Sequence, residues 1–438
     1  MSVETIGTLV ILVALAALLH WLWGRSLDRR EAKALLTLED LSALGEVVPD
    51  TLHPVVDENR CITSGACVQA CPEKHVIEIV HGRATLVNPL ACVGHAACVT
   101  ACPVGAIKVV FGSATRGVEL PKIDPNFQTT RPGLYIIGEL GGMGLIRNAI
   151  RQGRQAADHV VSSPRRGKNG AVDAIVVGAG PSGIGATLRL MEAGLKVSLL
   201  EREALGGTIT HFPRAKVTMT GTLEFPMFGK IKRRRMKKEE LLELWEEIRM
   251  KTGLPVETGQ LVEEIKEGAD GMWEVKTPSG VRRGATVLLG LGRRGTPRKL
   301  EIPGEELSKV HYRLLEPAEF KDKHVLVVGG GNSAVENAIM LAEFGGCKSV
   351  ALSYRRPTLA RCRAENRTKI EVAIASGAVR ALLPSEVERI GEREVFLKNG
   401  SEKITLPNDS VIVQIGGTAP AELLAKFGVE VIKKYGEA

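Results

Sequence analysis

Val172-Asp-Ala-Ile-Val-Val177 runs into Gly178-Ala-Gly180-Pro181-Ser182-Gly183, and a helix-compatible stretch follows through Ala193. The first six residues suit a buried parallel strand, and the glycines suit a tight turn that lets a pyrophosphate approach a helix N-terminus. A second apolar run, Lys196 to Leu200, ends at Glu201. That acid stands where a carboxylate accepts a hydrogen bond from an adenosine ribose. The three glycines alone are a weak signal. Strand, turn, helix, strand and terminal acid together make Gly178, Gly180, Pro181, Ser182, Gly183 and Glu201 candidate dinucleotide-binding residues.

The pattern returns downstream. His324-Val-Leu-Val-Val328 precedes Gly329-Gly-Gly331-Asn332-Ser333-Ala334, and a helix is predicted to about Phe344. The next strand, Ser349 to Ser353, ends not in an acid but in Tyr354-Arg355-Arg356. Two guanidiniums in place of the carboxylate favour the 2′-phosphate of NADP over NAD. Composition agrees with two such modules. The 48 glycines among 438 residues exceed the usual share of about 7%. Hydrophobic residues at 44% and charged ones at 25% describe a folded chain, and they exclude a collagen-like or coiled-coil rod. The net charge of +8 suggests an anionic surface, cofactor or partner.

Six of the eight cysteines fall in two near-copies, Cys61-Ile-Thr-Ser-Gly-Ala-Cys67-Val-Gln-Ala-Cys71-Pro72 and Cys92-Val-Gly-His-Ala-Ala-Cys98-Val-Thr-Ala-Cys102-Pro103. Zinc is one reading of such a set. The proline after each third cysteine points to iron–sulfur clusters. A disulfide framework needs an oxidising compartment, which the N-terminus argues against. Thr5 to Gly24 carries no charge, and Ile6 to Trp23 is apolar apart from a few small or amphipathic residues. Twenty helical residues reach about 30 Å, the thickness of a bilayer core. Arg25, Arg29, Arg30 and Lys33 follow at once, which places the body on the cytoplasmic side of an inner membrane as a single-pass protein.

Residues 53–112 resemble the bacterial two-cluster ferredoxins, whose motif is C-x2-C-x2-C-x3-C-P. The second cysteine is replaced by Ser64 in one copy and His95 in the other. The resemblance implies crossed ligation. Cys61, Cys67 and Cys102 would hold one cluster, and Cys92, Cys98 and Cys71 the other. Three thiolates fit [3Fe-4S], or [4Fe-4S] with another fourth ligand, and His95 is the candidate for that role.

Residues 118–430 resemble the thioredoxin-reductase-like branch of the pyridine nucleotide–disulfide oxidoreductases. Glu201 to Gly207 resembles its first flavin motif, Thr286 to Pro297 its connection toward the NADP domain, and Tyr354-Arg355-Arg356 with Arg361 its NADP-phosphate motif. The family's closing segment appears early, as Thr129-Thr-Arg-Pro132-Gly133-Leu-Tyr135-Ile-Ile-Gly138-Glu139, with Gly153-Arg-Gln-Ala156-Ala157 as the tail of its helix. This order implies a circularly permuted FAD domain, in which Gly138, Glu139 and the Gly141 to Ala149 stretch lie against the flavin. The family's redox C-x-x-C is missing; Cys347 and Cys362 are read as free thiols.

The expected fold is α/β. It has two Rossmann-like dinucleotide-binding domains, a small α+β ferredoxin-like domain and an N-terminal transmembrane helix. The expected divisions are an anchor at 1–25, a linker at 26–52, the iron–sulfur domain at 53–112 and the permuted FAD segment at 118–165. The FAD domain's main part follows at 171–318, then the NAD(P)H domain at 319–408 and a return segment at 409–438. The function implied is an FAD-dependent NAD(P)H oxidoreductase passing electrons between NADPH, flavin and two iron–sulfur clusters, to or from an unidentified protein or membrane partner. A redox sensor and a flavin reductase of a small organic substrate are the alternatives. No general base stands out, since His211, His311 and His324 look isolated. The basic run Lys230 to Lys238 precedes an amphipathic helix over Glu239–Lys251, and it suits a solvated face, an acidic carrier or an anionic leaflet rather than nucleic acid. A homodimer is compatible with the sequence.

Overall fold

A computed structural model describes residues 3–43, 52–73, 75–113, 117–141, 144–233, 235–292, 296–418 and 420–436. The chain divides into two compact units at Val110. Residues 44–51 of the expected linker, Gly142 and Met143, Arg234 of the basic run and residues 293–295 lie outside the described residues.

The first unit opens on one helix, Val3–Ala43. Its apolar side chains from Ile11 to Trp23 are exposed. The stretch expected to be a linker is helical as far as Ala43. Ala34 and Leu38, one turn apart, share one face and pack on Val80 and Val87. These two belong to and follow the antiparallel hairpin Ile77–Val80 with Arg83–Leu86. Glu31 Oε1 accepts the His81 backbone N–H at 2.7 Å. A second strand pair joins His53–Val56 to Ile107–Val110. Two short helices, Ala66–Ala70 and Ala97–Ala101, carry Cys67 and Cys98 into a core with Val76, Ile77, Ala84 and Ile107.

Two larger sheets organise the second unit, beside a three-stranded sheet and smaller strand pairs. In the first, Val172–Val177 lies between Val197–Leu200 and Gly280–Leu289, parallel to Val197–Leu200 and, over Gly284–Leu289, to the latter. Leu134–Ile136 adds to the other edge of Val287–Leu289, also parallel. The helix Ile146–Ser162 crosses the helix Pro181–Glu192 at two glycines. A Cβ on Gly153 would stand 2.1 Å from Ser182 O, and one on Gly185 2.9 Å from Ile150 O, so the backbones meet where no side chain intervenes. The early segment is therefore built into the first dinucleotide-binding sheet. The chain's last strand, Val431–Lys434, pairs antiparallel with Val118–Pro121, with Lys434 opposite Val118.

The second sheet is parallel throughout, in the order Val310–His311, Ser410–Val413, His324–Val328, Ser349–Ser353, Arg380–Leu382. The helix Asn332–Phe344 buries Ala334, Val335, Ala338 and Leu341 against Val325, Val327, Leu352 and Ile412. Between the modules, the helix Lys238–Thr252 buries Leu241, Leu244, Trp245 and Ile248, the apolar positions expected from periodicity.

Candidate redox centres

The first glycine turn follows the strand Val172–Val177. Gly178 has φ 98°, and a Cβ there would lie 2.4 Å from Gly290 O. A Cβ on Gly183 would lie 1.9 Å from Gly178 O. Both glycines are therefore required by the turn itself. Gly180 differs: nothing stands within 4 Å of where its Cβ would be. That open position, at the N-terminus of the helix Pro181–Glu192, leaves room for a phosphate to reach the backbone. Gly207 backs onto Gly180, its notional Cβ 3.1 Å from Gly180 Cα.

Glu201 is 7% exposed. Its Oε2 accepts Ala179 N–H at 2.7 Å and its Oε1 accepts Glu203 N–H at 2.9 Å. The carboxylate is thus locked beside the turn, and each oxygen retains a lone pair for a ribose hydroxyl. Gly138 reaches the same place from the early segment. Its φ is 82°, and a Cβ there would lie 2.6 Å from Ser182 Oγ. Glu139 follows in the short 3₁₀ turn Gly138–Gly141. The residues expected to hold FAD are brought together, and they fit a dinucleotide: an open glycine, a helix N-terminus and an oriented acid.

The second turn repeats this plan. Gly329 has φ 140° and no room for a Cβ beside Gln414 O, at 2.4 Å. Gly331 is open, with nothing within 4 Å of a Cβ position. Gly330 lies under the Tyr354 ring, whose atoms would stand 2.3 to 2.5 Å from a Cβ. The half-buried Ser333 and the buried Ala334 follow at the helix start. Arg355, Arg356 and Arg361 are exposed beyond the strand Ser349–Ser353. Asn332 has a structural task that sequence did not reveal. Its Oδ1 accepts from Arg363 N–H at 2.8 Å and Asn366 Nδ2 at 3.0 Å, bracing the arginine loop.

His211 is not isolated. Its Nε2 lies 2.8 Å from Glu203 Oε2 and its Nδ1 3.0 Å from Arg313 Nη1. A guanidinium only donates, so Nδ1 accepts and Nε2–H donates: the ring is neutral. Burial first, then the Arg313 charge, hold its pKa below the usual imidazole value, against the pull of Glu203. Lys216 Nζ also meets Glu336 Oε2 at 3.0 Å, tying the first module to the helix of the second. The contacts of His211 with Arg313 and of Lys216 with Glu336 have no local sequence signal, because they join residues 102 and 120 positions apart.

The cysteines regroup across the two motifs. Burial raises the Cys67 thiol, and the neighbouring Cys61 and Cys102 raise it further. Burial raises Cys98 to about 11, with Cys92 and Cys71 adding to the effect. Cys61, Cys67 and Cys102 line one cavity with Ser64, Ile79, Ala84 and Ala106. Ala106 N–H points at Cys102 Sγ, 3.2 Å away. Beside Cys71 and Cys92 stands Glu73, and its Oε1 lies 3.9 Å from His95 Nε2. Ser64 and His95 occupy matching places. Each is flanked by left-handed residues, Thr63 and Gly65 in one loop, Gly94 and Ala96 in the other. Among the described residues no three such side chains converge as ligands of a single ion do. Three thiols around one cavity suit a cluster, whose ligands bind separate irons.

Residues 175–437, more than half of the chain, match the family described as pyridine nucleotide-disulphide oxidoreductase. The chain belongs to this family. Residues 53–103 match a 4Fe-4S dicluster domain. The pyridine nucleotide-disulphide oxidoreductase is thus fused to a ferredoxin domain, and it works with FAD, a nicotinamide dinucleotide and two iron–sulfur clusters. It is 32% identical over 267 residues to a ferredoxin–NADP reductase of Ignicoccus hospitalis, spanning 59% of this chain and 81% of the relative. It is 26% identical over 272 residues to the bacilliredoxin reductase Bdr of Bacillus subtilis, spanning 60% and 82%. The solved bacillithiol disulfide reductase Bdr of Staphylococcus aureus superposes with a TM-score of 0.54 at 20% identity, over 61% of this chain and 85% of that one. At that identity the likeness concerns the fold alone. Cys347 and Cys362 are free thiols in this member; Cys362 is fully buried and donates to Leu359 O at 3.1 Å.

Proposed function

We propose that this oxidoreductase is anchored in a membrane and exchanges electrons between NADPH and a redox partner by way of its flavin and its two clusters. The observation that carries the reading is the crossed grouping of six thiols in the same chain as two open-glycine dinucleotide turns. Flavin held there would supply hydride acceptance from reduced nicotinamide and single-electron release, and the clusters would supply one-electron transfer. The protein's own part is placement. Gly178, Gly180, Pro181, Ser182 and Gly183 present backbone N–H groups to the FAD pyrophosphate, Glu201 holds the ribose, and Gly207, Gly138 and Glu139 close the site. Gly329, Gly331, Asn332, Ser333 and Ala334 do the same for NADPH, with Arg355, Arg356 and Arg361 directed to its 2′-phosphate. Cys61, Cys67 and Cys102 bind one cluster. Cys71, Cys92 and Cys98 bind the other, with His95 as its fourth ligand.

The domain divisions given from sequence complete the proposal, with one change. The anchor and the former linker form a single helix through Ala43. Support for a permuted FAD domain comes from Lys434 lying opposite Val118, a place where a short hairpin would join the two ends. The anchor reading draws on the exposed apolar side chains of Ile11 to Trp23 and the basic residues after them, with the body in the cytoplasm. The name of the Ignicoccus relative points to an iron–sulfur protein as the partner class. Steady NADPH oxidation with a one-electron acceptor, compared before and after cluster removal, tests the scheme. Turnover should depend on the clusters; a chain that reduces once and stops would be a sensor.

A further inference from the structure

The helix read as the anchor is the same helix that packs on the ferredoxin unit, and it touches one cluster site in particular. The hairpin Ile77–Val80 with Arg83–Leu86 has two faces, as alternating strand residues must. Val80 meets Ala34 and Leu38 of the helix, while Ile79 and Ala84 line the cavity of Cys61, Cys67 and Cys102. At the hairpin tip, His81 N–H is held by Glu31, and the Gly82 carbonyl accepts from Thr63 Oγ1 in the loop between Cys61 and Cys67. Helix, hairpin and this cluster loop are thus in direct contact. The second thiol set shares the core of Ile77 and Ala84 through Cys98, but its loop neighbours are Glu73, His95 and Leu52, whose carbonyl lies 3.9 Å from Cys92 Sγ, and no described contact joins them to the helix or the hairpin tip.

Gly24 ends the apolar run, and Glu31 comes seven residues later on an unbroken helix. At about 1.5 Å per residue the hairpin tip meets the helix roughly 10 Å past the apolar segment. A rigid helix cannot let the unit swing away, as a flexible linker would. We infer that the cluster held by Cys61, Cys67 and Cys102 is the membrane-proximal one, and that it is the port through which electrons pass to or from a carrier resident in the membrane. Each transfer moves one electron between the cluster and the carrier, with no bond made to the protein. A lipid-dissolved quinone takes two in succession and two protons from water. The inference rests on the membrane reading proposed above.

The test uses the full chain with both clusters, reconstituted in phosphatidylcholine–phosphatidylglycerol vesicles with and without a lipid bearing a gadolinium chelate on its headgroup. Paramagnetic spectra of Cys61→Ala and Cys92→Ala assign the two cluster signals. The signal missing from Cys61→Ala should relax several-fold faster with gadolinium, and the one missing from Cys92→Ala much less. A chain lengthened by Gly-Ser-Gly-Ser between Ser26 and Leu27 should lose that difference. It should also reduce decylubiquinone in the vesicles several-fold more slowly, with ferricyanide reduction unchanged. Protein that floats with the vesicles but shows equal effects, or a larger effect on the other cluster, overturns the inference alone. Protein that fails to float overturns the membrane reading and the inference with it.

Discussion

Replacing Gly180 by alanine separates the fold of the first module from its ligand. The residue has φ −78° and ψ −178°, a backbone that any amino acid adopts. Nothing lies within 4 Å of the new methyl group. The apoprotein should therefore lose no stability, and restricting the unfolded chain should add about 0.4–1 kcal/mol. The methyl would occupy the space through which a pyrophosphate approaches the helix N-terminus. We expect FAD affinity to fall at least about tenfold, or about 1.4 kcal/mol. Gly183→Ala is the contrasting change. Its Cβ would stand 1.9 Å from Gly178 O, a backbone atom that cannot rotate away, and overpacking of this kind costs about 1–3 kcal/mol or more. Thermal unfolding of the apoprotein and fluorescence titration with FAD read the two effects. Gly180→Ala protein that binds FAD within about twofold of wild type would refute the placement of the pyrophosphate over this turn.

Replacing Arg355 and Arg356 together should raise the KM for NADPH far more than that for NADH, and steady-state kinetics with both nucleotides would show it; equal effects would argue against a phosphate role. Glu139→Ala should lower flavin content while iron content stays near normal, as absorbance and metal analysis of one preparation can show. Cys102→Ala should damage the cluster of Cys61 and Cys67, and Cys71→Ala that of Cys92 and Cys98; a cluster lost from its own motif's side instead would exclude crossed ligation. His211 is held below the usual imidazole pKa, so the native state favours the neutral ring. Its bonds to Glu203 and Arg313 should contribute fully above the unfolded value of about 6.5 and be lost as pH falls from there toward the folded value. Tm measured against pH should show that decline in wild type and a shallower one in His211→Gln.

Much of the first module could be read directly because its signals are local. A strand of Val172–Val177, a glycine turn and a helix to Glu192 are neighbours in sequence, and Gly183 is fixed by Gly178 O within that turn, although Gly178 itself is fixed by the distant Gly290 O. The cysteine motifs were legible for the same reason. What was missed depends on distant partners. Residues 26–43 are polar enough to pass for a linker, yet Ala34 and Leu38, four apart, were the sign of a buried helical stripe. His211 looked isolated because Arg313 lies far along the chain. Asn332 was read for its place after the turn; that its side chain also braces the loop that carries the arginines depends on Arg363 and Asn366, some thirty residues on. The order of the FAD segments was legible as an oddity of motif order. The pairing of Val431–Lys434 with Val118–Pro121 is visible only in the folded chain.

In the proposed scheme flavin and clusters form one electron path. Anaerobic rapid mixing of the intact protein with NADPH, and of the cluster-reduced protein with NADP⁺, followed by freeze-quenching, tests it most directly. In at least one direction the flavin absorbance and the cluster spin signals should change in sequence within a single turnover, and the coupling should disappear in Cys61→Ala or Cys92→Ala. Flavin that exchanges electrons with the nicotinamide in both experiments while both cluster signals stay constant would contradict the account.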